Sequence, residues 1–241
     1  MRTFHQEGAA FVARLEAPER AVLLEVVDDV VELLDAPTGP QRPVAADEAG
    51  AREHAGDPLD EVRMQGHALP APVDPAVLRL LPHGSEDAEV AAEFRRLTEG
   101  DLRSTKSDQL LRLRACIDAA WPDLVVVPSE APRIAAALTD VRLVTSERLS
   151  VRTDADADAL YRLVLEDADG PDGPEDEDTT EQAHRLLATV YVMLSLLQES
   201  LVELMIAGLE AGGDDASGTA SGTAAEGTDD DPDPTGPGAP H

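Results

Sequence analysis

At 241 residues the chain is long enough for one good core or two small ones. Aromatic residues make up 2% of it, so the core must be built from Leu, Val, Ile and Ala, which suits packed helices better than an aromatic-rich sandwich. A formal net charge of −30 repels phosphate, which argues against direct DNA binding and against anionic membrane surfaces and favours a basic protein partner.

The opening segment, MRTFHQEGAAFVARLE, has no apolar run after its first charge and does not read as a signal peptide. Phe4, then Phe11, Ala13 and Leu15, with Gly8 between them, predict a hairpin over residues 2–15. Pro18 opens a helix at a first-turn position that needs no backbone N–H. Its sequence, PERAVLLEVVDDVVELLD, places Val22, Val26, Val30 and Leu33 on the expected inner face. Residues 36–73 are rich in Pro, Gly, Asp and Ala without periodicity and read as a flexible insertion. Asp74-Pro75 starts a short helix that ends at Leu81-Pro82, and Ser85 is the expected N-cap of the next one.

Against this acidic background, residues 91–121 gather Arg95, Arg96, Arg103, Lys106, Arg112 and Arg114, together with the chain's one cysteine. Val90, Phe94 and Leu97 form one apolar stripe; Leu102, Leu110, Leu113 and Ile117 form a second. On one straight helix the two would point roughly 150° apart. A break at Thr98-Glu99-Gly100-Asp101, with Asp101 capping a second helix, lets both face a core and puts the basic residues at a helix–helix corner. Arg95, Arg96, Arg103 and Lys106 are therefore the partner-binding candidates.

The alternatives are specific. Lys106 interrupts the second stripe, so it either snorkels, pairs with a nearby carboxylate, or meets a partner. The arginines alternate with Glu93, Glu99, Asp101 and Asp108, and Glu99 to Arg103 has the favourable i,i+4 order, so internal pairing competes with partner binding. Cys116 lies at the edge of the stripe and is a redox candidate; Arg112 would lower its pKa if the sulfur is accessible, but one cysteine makes no internal disulfide.

Further along, LVVV at 124–127 fits a third strand beside the hairpin. Ser129 is the expected cap of a helix with Ile134, Leu138, Val141 and Val144 or Thr145 inward. Residues 153–180 are strongly acidic and read as a second flexible insertion. Within them DADADAL, residues 154–160, fails as a calcium loop, with Ala159 where Gly is needed and Leu165 where Glu is needed.

The last helix begins near Thr180 and carries Leu187, Val190, Leu194, Leu197, Leu201 and Leu204 in steps of three and four. That seam makes it either the centre of the fold or a homodimer surface. Gln198, Glu199 and Glu203 interrupt its apolar run, which makes a poor membrane span and supports a cytoplasmic location. Residues 211–241 read as a disordered acidic tail.

The six histidines have no partner at metal or triad spacing, and no phosphate loop, dinucleotide fingerprint or nucleophile elbow is present. The expectation is a non-enzymatic protein without metal or cofactor. Its fold class is predominantly helical α+β: a helical bundle around the C-terminal helix with a small N-terminal hairpin sheet, forming a single domain over 1–210.

Three pieces carry a resemblance: DPAVLRLLP with AAEFRRLTEGDLRSTKSDQLLRL, then LTDVRLVTSERLSV, then LSLLQESLVELM. Together they resemble the actinobacterial AosR family, formerly a domain of unknown function and named for a role in oxidative-stress transcription. The resemblance implies a regulator that binds a transcription component such as a sigma factor or RNA polymerase subunit. Family members are also often encoded beside the ClpS proteolytic adaptor, which implies a proteolysis-linked alternative. Redox sensing in that family uses two closely spaced cysteines, whereas here Cys116 stands alone and Ala120 follows one turn later.

Overall fold

A computed structural model describes residues 1–36, 71–119, 121–169 and 179–217. Most of the expected insertion at 36–73, namely residues 37–70, and most of the expected tail fall outside these residues. Strands β1 (Arg2–Glu7) and β2 (Ala10–Arg14) pair antiparallel across Gly8, whose φ of 59° lies in the left-handed region that favours glycine. Strand β3 (Asp123–Val126) joins the other side of β2, also antiparallel, giving the order β1-β2-β3. Phe4, Phe11, Ala13, Leu15, Leu124 and Val126 are buried in the main core.

Helix α1 (Ala17–Asp35) begins with a capping box in which the Glu16 N–H donates to Glu19 Oε2 at 2.7 Å, and Pro18 sits in its first turn. Its buried face is Leu23, Val27, Val30 and Leu34. The expected Val22, Val26 and Leu33 are half-buried beside it. In the run AVLLEVVDDVVELL adjacent rows are both apolar, and the row with the larger leucines at 23 and 34 takes the centre. Helix α2 (Pro75–Leu80) is capped by Asp74, whose carboxylate accepts the Ala76 N–H at 2.8 Å.

Helix α3 (Ala88–Ala119) corrects the expected break: it runs 32 residues without interruption through Thr98-Asp101. Thr98 Oγ1 donates to the Phe94 carbonyl at 2.8 Å, and Arg103 reaches back to Glu99 at 2.8 Å, so both residues use helical neighbours across the expected hinge. A break would have orphaned backbone groups on both sides of it, whereas continuity leaves only one apolar stripe uncovered. There is thus no helix–helix corner at the basic residues. The cap is also corrected: Asp87, not Ser85, accepts the first N–H groups, from Glu89 at 2.9 Å and Val90 at 3.2 Å.

Helix α4 (Ala131–Arg148) buries Ile134, Leu138, Val141, Val144 and Thr145 as expected. Its N-cap is Glu130, without a side-chain cap, in place of the expected Ser129. Helix α5 (Asp154–Asp169) occupies much of what was expected to be a flexible acidic segment. The Asp156 carboxylate accepts the N–H groups of Arg152 at 2.9 Å and Thr153 at 2.8 Å, and acidic residues in a first turn suit the helix dipole. Leu160 then packs with Leu149, Ala188, Tyr191 and Val192 in a second, smaller cluster.

Helix α6 (Thr179–Ser217) is the central helix. Its seam residues Val190, Leu194, Leu197 and Leu201 are buried in the main core. Ser200 Oγ accepts the Phe4 N–H at 3.0 Å, and Gln198 Nε2 donates to Thr139 Oγ1 at 2.8 Å, tying the helix to β1 and α4. A homodimer through this seam would have to unpack the core, so the seam is not a free dimer surface. Thr179–Glu210 contains an 18-residue stretch of mean hydropathy 1.6, long and apolar enough to cross a membrane, yet its inner face holds the fold together. Residues Met1–Met205 form one compact unit; Ile206 begins a second, and the helix runs past Gly212, where an unstructured tail was expected.

Candidate functional site

All five candidate residues lie on α3, and the helix puts them on different sides. Lys106 points inward: Nζ lies 2.6 Å from Asp140 Oδ1 on α4, with side-chain exposures of 18% and 4%. Of the three readings open for Lys106, the structure has the paired one. Burial raises the Asp140 carboxyl above the ordinary carboxylate range, while the hydrogen bond and charge of Lys106 oppose that shift. Asp140 Oδ2 is buried and has no hydrogen-bond partner among the described residues.

Arg103 also turns inward. One guanidinium nitrogen binds the buried Glu99 carboxylate and another donates to the Leu34 carbonyl at the end of α1. The last turn of α1 contains no basic residue, so Arg103 supplies from outside the positive charge that its C-terminal carbonyls favour.

Arg95 and Arg96 are nearer the surface. Arg95 Nη1 is 3.4 Å from His83 Nδ1. Arg96 makes two hydrogen bonds to Glu93, at 2.8 and 2.6 Å, which raise its pKa and lower that of Glu93. An exposed pair of this kind contributes little stability. Arg112 meets Glu130 at 2.9 Å and Arg114 meets Asp28, joining α3 to the start of α4 and to α1. The structure therefore does not bring the four basic candidates together as one surface. Arg103 and Lys106 are internal pairs, and Arg95 and Arg96 lie two to three turns away along the helix axis.

Cys116 is half-buried. Burial pushes its thiol pKa up, Arg112 pulls it down, and Glu130 adds to the rise; the net shift is upward. That environment favours the protonated thiol over the reactive thiolate.

A feature not expected from the sequence lies on the opposite side of α3. Val90, Phe94 and Leu97 are 56%, 41% and 60% exposed. Their stripe is visible in the sequence, but the expectation that every apolar stripe finds a core turned it into evidence for a break. Phe94 is held from one side by Gly84: a Cβ there would come within 2.6 Å of the ring, and the φ of +71° again favours glycine. Beside Phe94, an open cleft between α3 and the preceding loop is lined by Gly84, Ala88, Ala91 and Arg95.

Elsewhere, Glu147 is a structural junction: it accepts hydrogen bonds from Arg79 at 2.9 Å and from Arg152 at 2.6 Å. Among the described residues no group of three or more His, Cys, Asp or Glu side chains is placed to hold a metal ion.

A family model described as a domain of unknown function, DUF2017, matches residues 1–205. No curated protein and no solved structure matches the chain.

Proposed function

This chain belongs to the DUF2017 family, and on that premise we propose that it is a non-enzymatic, cytoplasmic regulatory protein of the AosR kind. It acts in oxidative-stress transcription by binding a transcription component such as a sigma factor or RNA polymerase subunit. The observation that carries the binding reading is the charge: 49 acidic against 19 basic residues make a surface that attracts basic proteins and repels nucleic acid. The transcription reading rests on the sequence pieces quoted above, EFRRLTEGDLR and LQESLVE foremost. The paired, half-buried setting of Arg103 and Lys106 supports assigning them to stability and taking them out of the partner surface.

An oxidative signal does not pass through an internal disulfide, since the sequence holds one cysteine. Affinity capture of the full chain from its own cell lysate, with and without peroxide and read by mass spectrometry, tests the reading. Enrichment of a sigma factor or polymerase subunit is expected. Capture of ClpS or protease subunits instead would establish the proteolytic-adaptor alternative. Peroxide dependence that disappears in Cys116→Ser would give the cysteine a role through mixed or intermolecular disulfides.

A further inference from the structure

We propose that the outward stripe of α3, Val90, Phe94 and Leu97, is a docking face for a basic amphipathic helix of a partner protein; this rests on the protein-binding reading above and names its surface. The spacing i, i+4, i+7 lines the three side chains along about 10 Å of helix. They fall within about 60° of one another around the axis. None of them is surplus core: the same helix buries Leu110, Leu113 and Ile117 on its other side. Phe94 packs one side of its ring against Gly84, a contact that restricts this anchor before any partner arrives.

The rim says what kind of partner fits. Glu86, Asp87, Glu89, Glu93 and Asp101 are all exposed around the stripe. Of the two flanking cations, Arg96 is paired with Glu93, and Arg95 is half-buried with Nη1 3.4 Å from His83 Nδ1, which leaves the five carboxylates in excess. An apolar row inside an acidic rim complements an apolar row flanked by Lys or Arg. It repels a second copy of a chain whose net charge is −30. A helix also has no open backbone edge with which to pair a strand, whereas its side-chain ridges accept the ridges of another helix.

The probe is a synthetic peptide of about 20 residues, with Leu on one helical face and Lys on both flanks, titrated against the full chain by fluorescence anisotropy. A scrambled peptide of equal composition and a version with Glu in place of Lys are the controls. The patterned basic peptide is expected to bind at least tenfold tighter than either control. In Val90→Gln/Leu97→Gln that binding should weaken at least tenfold while the circular-dichroism melt is unchanged. Val125→Gln, at an exposed apolar position elsewhere, should bind as the wild type does.

Equal binding of the scrambled peptide, or binding indifferent to Val90→Gln/Leu97→Gln, overturns the proposal. So does a wild-type dimer, seen by sedimentation equilibrium, that dissociates in the same variant, because the occupant is then a second copy. Sigma-factor capture that survives in Val90→Gln/Leu97→Gln overturns the docking face and leaves the regulator reading standing. Peptide binding as expected without any transcription component in the capture overturns the regulator reading alone.

Discussion

Lys106 shows how burial decides between roles that a sequence pattern leaves open. Its ammonium is 2.6 Å from an Asp140 carboxylate that is itself 4% exposed, so removing the lysine leaves a buried charge without its counterion. Lys106→Ala should cost about 3 kcal/mol in a denaturant titration, and Lys106→Met combined with Asp140→Leu should recover most of that loss. A stability unchanged by Lys106→Ala would return the lysine to the partner surface. Glu147 gives the pH counterpart. Hydrogen bonds from Arg152 and then Arg79 hold its carboxyl at about 2, below the ordinary 4.5. Because the folded value is the lower one, the stabilisation is fully present above 4.5 and is lost as pH falls toward 2. The difference in melting temperature between the wild type and Glu147→Gln should therefore shrink across that window. The interruption of a stripe by Lys106 was legible in the sequence; its partner, 34 positions away on α4, carried no local sign.

Among elements, α3 is where local pattern and fold part company. Its two stripes are plain in the sequence, but a helix need not bury every apolar stripe it carries. The chain keeps the backbone hydrogen bonds through Gly100 and leaves Val90, Phe94 and Leu97 outside. Gly100 is helical and a Cβ there meets nothing within 4 Å. Gly100→Ala should consequently raise stability by about 0.5–1 kcal/mol in thermal or denaturant unfolding. A loss of similar size would mean that the chain turns at this glycine. The hairpin, the third strand, α4 and α6 were legible because their apolar periodicity is also their burial. Helix α5 was hidden because five aspartates at 154–169 looked like a solvated run, while Leu160, Leu163 and Val164 were enough to seat it against α6. Caps were the least legible detail: Asp87 displaced Ser85, as Asp and Ser are near-equal cap residues, and α4 starts after Glu130 with no side-chain cap at all.

Over the whole molecule, the charge and the uncovered stripe point the same way. The core is formed by one long central helix, a three-stranded sheet and the helices around them, and two of the conspicuous basic residues, Arg103 and Lys106, turn inward into ion pairs beside it. Among the described residues an apolar row is set into acidic surface on the outer side of α3, and that juxtaposition is what the proposed basic partner would meet. The composition made the sign of that surface plain from the start, but its location emerged only when the inner and outer sides of α3 were separated. The most direct measurement is affinity capture of the full chain from its own cells, comparing the wild type with Val90→Gln/Leu97→Gln. A sigma factor or polymerase subunit enriched by the wild type and lost from the variant is the expected result. Proteolytic components in place of any transcription component, at equal levels for both proteins, would contradict it.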